Sequence, residues 1–248
     1  MESIENNKVL KNLELSAAGT LFRQSDMIIL PNDFFTEDIK HQLDCEARVL
    51  LQESAEMRDL EMKATANTPR KYRSVGRDAI HARNGVVRKV FENNELLEAL
   101  STLAGEPVFR VPYEPEEYII NNQGSTGNTH GWHWDDYAFA MIHVVEAPDP
   151  MFGGRVEMIK KIQWDKEDAG TCIREALGGN VVLGMHVSAG QTYFMRTNTT
   201  LHRISPLTGP TNRIAIIMSF ASETDLHDGH IGHETMEAIY PTDTKVFA

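Results

Sequence analysis

Thr129-His130-Gly131-Trp132-His133-Trp134-Asp135-Asp136-Tyr137 is the stretch on which the reading of this chain turns. Along an extended strand, residues two apart project to the same side. His133 and Asp135 therefore project together, and Trp134 faces elsewhere. His202 lies far downstream, after the strand-like run Gly190-Gln191-Thr192-Tyr193-Phe194-Met195-Arg196 and before Ile204-Ser205-Pro206. It is well placed to bring a second imidazole to the pair. Two imidazoles and one carboxylate on one side of a metal form the facial donor set used for non-haem Fe(II), with three octahedral positions left open. Zinc prefers cysteine and histidine in a closed tetrahedron, and neither Cys45 nor Cys172 is near this group in sequence.

Arg213 opens the run Arg213-Ile214-Ala215-Ile216-Ile217-Met218-Ser219-Phe220. Period 2 puts Arg213, Ala215, Ile217 and Ser219 on one face. A guanidinium on an apolar inward face is costly unless an anion pairs with it. A dicarboxylate bound bidentately supplies that anion, and Ser219 on the same face can add a hydrogen bond. A bidentate 2-oxo acid would fill two of the open metal positions and O2 the third.

Outward from this region the chain reads as short strands at 108–112, 116–122, 137–146, 154–161, 181–187, 191–196, 200–205 and 213–221. They are separated by turn signals such as Asn128, Pro148-Asp149-Pro150, Gly153-Gly154, Gly178-Gly179-Asn180 and Gly209-Pro210. The segment 164–177 reads as an insertion with a short helix. Upstream, a strand over 26–30 precedes a helix from about Thr36 to Met62, capped by Asn32 or Asp33. The helix carries Ile39, Leu43, Ala47, Leu50 and Leu51 on one stripe. Residues 64–72 read as a loop, and a shorter helix over 94–103 ends at Gly105. Helices followed by about eight strands make an α+β order. Eight antiparallel strands close most naturally as a double-stranded β-helix, or jelly roll, with the N-terminal helices packed on one sheet. The expected organisation is a single domain over 1–248: a helical part to about 106, a jelly-roll core over about 107–221, and a lid segment over about 222–248.

Composition sets bounds on function. The chain has 248 residues, 41% hydrophobic and 24% charged, with a net charge of −12. This acidity disfavours nucleic acid and anionic membrane as partners and suits a cationic small molecule. Met1 to Leu15 is acidic and polar rather than basic then apolar, no run approaches a membrane span, and two cysteines are too few for a disulfide framework. A cytoplasmic protein with reduced thiols is expected; oligomeric state is open.

Other features have plainer readings. His227, His230 and His233 recur every three residues, but Gly229 and Gly232 interrupt any helix, so a lid is expected rather than a metal cluster. His143 and His186 lie in apolar runs and read as core or pocket-wall histidines. Trp132 and Trp134 read as packing residues, and Gly153-Gly154 as a hairpin turn. Arg73 and Arg77 can reach the pocket, although a solvated basic patch is the more common fate of such residues.

The donor set, the following arginine and the local string Thr129–Tyr137 resemble the Fe(II)/2-oxoglutarate-dependent oxygenases, over roughly residues 108–221. The string itself is similar to that of the radical amino-acid halogenases and their hydroxylase relatives, which act on free amino acids such as lysine. In the halogenases a glycine replaces the metal carboxylate and vacates a position for chloride. This chain keeps Asp135, so the resemblance implies hydroxylation, with Fe(II), 2-oxoglutarate and O2 as reactants and succinate and CO2 released. It also implies His133, Asp135 and His202 as metal ligands, Arg213 and Ser219 as 2-oxoglutarate contacts, and Glu116, His130 and Asp136 as contacts to a free, cationic amino acid. Two alternatives remain open at this point. One is a hydroxylase of a carrier-bound amino acid, nucleotide or other small metabolite. The other is a metal-binding jelly roll without turnover.

Overall fold

A computed structural model describes residues 9–10, 15–228 and 231–241. Helix α1 (Ser16–Ser25) leads into the short strand β1 (Met27–Ile29). Helix α2 (Glu37–Ser54) is capped by Thr36, whose Oγ1 accepts from the Ile39 N–H at 3.4 Å, so the cap is neither Asn32 nor Asp33. Its expected stripe of Ile39, Leu43, Ala47, Leu50 and Leu51 is buried. The helix does not continue to Met62. It stops at Ser54, and the chain becomes β2 (Glu56–Glu61), which pairs antiparallel with β3 (Pro69–Val75). Glu-Met-Arg-Asp-Leu-Glu is made mostly of good helix formers, but intrinsic propensity amounts to only tenths of a kcal/mol per residue, and the backbone ladder to β3 outweighs it. Most of the expected 64–72 loop is thus spread between the β2–β3 connection and β3 itself.

Three helices follow: α3 (Arg77–Arg83), α4 (Val86–Phe91) and α5 (Asn94–Ala104). The first two are too short to leave a clear periodic signal. Helix α5 ends as expected at Gly105, which adopts φ +74° and whose N–H bonds to Ser101 O. The remaining strands are β4 (Val108–Arg110), β5 (Tyr118–Gln123), β6 (Thr129–His133), β7 (Phe139–Glu146) and β8 (Val156–Lys160). After α6 (Ala169–Gly179) come β9 (Leu183–Met185), β10 (Thr192–Arg196), β11 (Thr200–Ile204) and β12 (Arg213–Ser222). Two short helices close the described chain, α7 (Glu223–His227) and α8 (Glu234–Ile239).

The strands join in the order β1-β10-β7-β12-β5-β3-β6-β11-β8-β9, with β2 on β3 and β4 on β12. The sheet curls on itself as a jelly roll, and β3 makes the corner. Its end at Arg73, Ser74 and Val75 pairs with β5, and its start at Arg70 and Lys71 pairs with β6. One apolar cluster lies inside the roll, where Ala140 and Ile142 meet Met158, Met195 and Ile204 from other strands. A larger one lies outside it. There α1, α2, α4 and α5 cover the outer face of β7, β10 and β12 through Phe22, Leu43, Val90 and Leu100 against Phe139, Phe194 and Phe220. This is the expected helical layer on one sheet.

Several smaller expectations resolve. His143 is buried, with Nδ1 2.9 Å from Thr192 Oγ1, and burial pulls its pKa down to about 4. His186 does not sit in the core, because β9 is an edge strand with Val181, Val182 and Leu183 exposed; the residue is half-buried beside it. Arg73 donates to Leu51 O and Arg77 pairs with Glu114 and Glu117, so neither enters the interior. Trp134 stacks on Trp164 with centroids 5.7 Å apart, and the Arg203 guanidinium lies over Trp132. Cys45 and Cys172 are free thiols. Among the described residues no helix is long and apolar enough to cross a membrane.

The contact between α1 and the sheet is an aromatic one. Phe194 stacks on Phe22 at 4.7 Å and on Phe139 at 5.4 Å, and all three rings are buried. Phe194→Ala should therefore cost about 3–5 kcal/mol in urea unfolding, whereas a loss below about 1 kcal/mol would mean the helical layer packs loosely.

Candidate active site

His133 is the last residue of β6, and His202 lies directly opposite it in the register of β6 with β11. Opposed residues of an antiparallel pair share a face, so the two imidazoles meet with ring centroids 4.1 Å apart. Asp135 has already left the strand. Its N–H reaches Thr197 O, and its Oδ1 lies 3.6 Å from His133 Nε2 and 3.8 Å from His202 Nε2.

Both rings are held alike. His133 Nδ1 lies 2.7 Å from Gly131 O, and His202 Nδ1 lies 2.8 Å from Thr200 O. A carbonyl only accepts, so each Nδ1 carries the proton and each Nε2 turns a lone pair toward Asp135. Burial, with His130 and His202 nearby, holds His133 well below the usual imidazole range, so it is neutral. The three donor atoms fall within 4.8 Å of one another. Two Nε2 atoms and one carboxylate, oriented by the backbone and open on one side to a cavity, fit a ferrous ion.

The cavity lies inside the roll and is lined from both of its faces. Arg213 is 4% exposed, and among the described residues it has no carboxylate partner. Its guanidinium makes only long contacts, 3.4 Å to Gln123 Oε1 and 3.5 Å to the Tyr193 hydroxyl. Ser219 lines the same cavity, as period 2 along β12 requires. His130 lies flat on His133, centroids 4.1 Å apart and planes 11° apart, so it flanks a candidate metal ligand. Burial and the charge of Arg70 keep it well below the usual imidazole range.

Glu116 and Asp136 also line the cavity. Glu116 Oε1 is 2.9 Å from His233 Nδ1. Asp136 accepts from Lys166 Nζ at 2.6 Å through Oδ1 and from Thr235 Oγ1 at 2.9 Å through Oδ2. Glu116, Asp136 and His233 form a second cluster of donor atoms within 4.8 Å, but the Lys166 ammonium stands where a cation would have to bind Asp136. Of the histidines near the C-terminus, His227 is exposed, His233 turns toward the site, and His230 lies outside the described residues.

Some site residues are absent from the sequence reading. Arg70 and Tyr72 of β3 line the cavity and are 1% and 0% exposed, and among the described residues the Arg70 Nε and the Tyr72 hydroxyl have no hydrogen-bond partner. Their signal is the alternation Arg70, Tyr72, Ser74, which reads as a strand only once polar groups are allowed to point inward. Thr235, Met236 and Ile239 of α8 close another wall. Lys166 carries no local motif, and the recurrence His227, His230, His233 does not distinguish His233 as the histidine that turns toward the site.

The curled sheet resembles solved structures at low identity. EctD from S. alaskensis, solved with 2-oxoglutarate and 5-hydroxyectoine, aligns with a TM-score of 0.59 and 16% identity, over 90% of this chain and 80% of its own. A Pseudomonas putida prolyl-4-hydroxylase aligns at 0.54 and 14%, over 84% and 99%. The non-heme alpha ketoglutarate dependent epimerase SnoN from nogalamycin biosynthesis aligns at 0.62 and 12%, over 84% and 82%. No curated protein matches the chain. Fold and donor set together define a protein of the 2-oxoglutarate–Fe(II) oxygenase class. More specifically, the family model described as Halogenase D matches residues 10–241, and the chain belongs to that family.

Burial first, then the negative charges of Asp136 and Asp135, pushes the Glu116 carboxyl up to about 9. In the folded protein it holds a proton that the unfolded chain loses near 4.5, so folding loses stability as pH rises between those values. Glu116→Gln should remove that slope. Its melting temperature should exceed the parent's by more at pH 8 than at pH 5; equal differences at both would mean that Glu116 is ionised when folded.

Proposed function

We propose that the protein is an Fe(II)- and 2-oxoglutarate-dependent hydroxylase of a free amino acid. The observation that carries the reading is the meeting, in one cavity, of the His133–Asp135–His202 group with the buried and acid-free Arg213. His133, Asp135 and His202 hold the metal. Arg213 pairs with the distal carboxylate of 2-oxoglutarate, with Ser219, Gln123 and Tyr193 around it. A buried guanidinium without a counter-ion is costly, which favours a bound dicarboxylate over a jelly roll that only binds metal.

Asp135 favours hydroxylation within a family described as halogenases. Its carboxylate stands against both Nε2 atoms and takes the ligand position that a halide would need. When bound together with 2-oxoglutarate and O2, the ferrous ion supplies the oxidising power to hydroxylate an unactivated C–H, with release of succinate and CO2. The side chains do the positioning. Arg70 and Tyr72 offer buried donors to a substrate carboxylate, and Glu116 offers an acceptor to an ammonium. His130, between Tyr72 and His133, fixes the wall next to the metal. Trp134, Met236 and Ile239 keep the chamber apolar and limit water.

Anaerobic addition of Fe(II) and 2-oxoglutarate should give the weak visible band of the chelate, and air plus free amino acids should give succinate and a product heavier by one oxygen. Succinate formed only with a carrier-bound amino acid would defeat the free-substrate reading. Asp135→Ala should lower hydroxylation by more than about 100-fold, and unchanged turnover would remove Asp135 from the metal. Arg213→Ala should raise the 2-oxoglutarate concentration needed for half-maximal rate about 10- to 100-fold while Fe(II) affinity stays near the parent's; an unmoved 2-oxoglutarate requirement would assign the anchor elsewhere.

A further inference from the structure

We infer that the amino acid taken by this site has an uncharged side chain, and that Lys166 is the residue that decides this. The inference rests on the amino-acid reading above and narrows it, against the cationic side chain that the family resemblance implies.

Among the described residues, the carboxylates that line the cavity are Glu116, Asp135 and Asp136. Asp135 belongs to the metal. Both Asp136 oxygens already have a donor: Lys166 holds Oδ1, Thr235 holds Oδ2, and the side chain is 2% exposed. Only Glu116 keeps an oxygen for an incoming ammonium, since Oε1 is taken by His233. On the cationic side, Arg213 is committed to the cosubstrate, which leaves Arg70, with its unpartnered Nε, for a carboxylate. One guanidinium and one carboxyl remain, and an ammonium bound beside Glu116 would favour its ionised form and pair with it. The two groups complement an α-amino acid zwitterion and leave nothing for a second ammonium.

Lys166 does not wander into this position. Its ammonium also donates to Gly232 O at 3.0 Å and Glu234 Oε2 at 3.1 Å, and it lies 4.5 Å over the Trp164 ring, which is itself stacked on Trp134. A lysine or ornithine side chain aimed at Asp136 would meet this fixed like charge. The rest of the wall suits an apolar side chain: Met62, Ile119, Met195, Ile217, Met236 and Ile239.

The test compares lysine with norleucine, which has the same carbon chain without the ammonium, in succinate-release assays on the intact enzyme with Fe(II) and 2-oxoglutarate. The parent should favour norleucine. Lys166→Met removes the charge and keeps the stem, and it should move the kcat/KM ratio toward lysine by about tenfold or more. Lys166→Arg can still pair with Asp136 and should retain the parent's ratio, which separates loss of charge from loss of structure. A parent that prefers lysine, or a Lys166→Met ratio equal to the parent's, overturns the role of Lys166 and leaves the amino-acid reading standing. Succinate release with neither amino acid, nor with any other free amino acid, overturns that reading and this inference with it.

Discussion

The pairing of β6 with β11 is the constraint on which the rest of the site depends. It sets His133 opposite His202, and the strand end lets Asp135 swing back to both Nε2 atoms. A slip of one residue would turn His202 to the opposite face and leave two donors instead of three. The register is guarded from both sides. Strand β8 pairs with β11 through five consecutive residues, and the corner strand β3 pairs with β6 at His130. The Nδ1 bonds to Gly131 and Thr200 then fix ring orientation with backbone groups that the same register positions. The placement of the two imidazoles is therefore a property of the sheet, and only Asp135 depends on the loop that follows β6.

The interior of the roll carries more charge than an apolar core can accept without compensation. Arg70 and Arg213 are both nearly inaccessible, and burial lowers the Arg70 pKa to about 10. Glu116 is held protonated by its surroundings, and Asp136 is balanced by Lys166. Buried groups of this kind are tolerated when something neutralises them. Those that the chain does not neutralise itself, the guanidinium of Arg213 and the Nε of Arg70, are the ones for which an anionic ligand group is proposed. Asp136, which Lys166 already neutralises, is where a further ligand cation is proposed to be unwelcome. Substrate selection in this cavity is then a matter of which internal charges the protein has already paired.

Much of this was legible along the chain. Period 2 located most of the strands. The same argument set Arg213 and Ser219 on one inward face, and the order of His133, Asp135, His202 and Arg213 pointed to the metal and its cosubstrate. The 3.6-residue stripe of α2 identified the face that packs on the sheet. The reading failed where local preference and tertiary context disagree. Residues 56–61 and 69–75 look like a helix end and a loop because their side chains are charged, yet they pair as β2 and β3, and the polar residues of β3 point inward. Strand β6 has no alternating apolar pattern, and its extended backbone was legible only from the His133 and Asp135 pair, the second of which lies just past the strand end.

What the sequence by itself determined is the residue chemistry: which side chains can ligate a metal, which arginine lies on an inward face, and that a carboxylate remains at position 135. These follow from residue type and short-range periodicity, both written in the chain. What only the tertiary structure decided is which charges meet. Lys166 and Asp136, His233 and Glu116, and Arg70 and the metal-side histidines are far apart in sequence and have no local pattern linking them. Their encounters depend on the curl of the sheet and on the return of the C-terminal segment over its mouth. An ion pair is specified by a distance in space, and no periodicity along the chain encodes that distance.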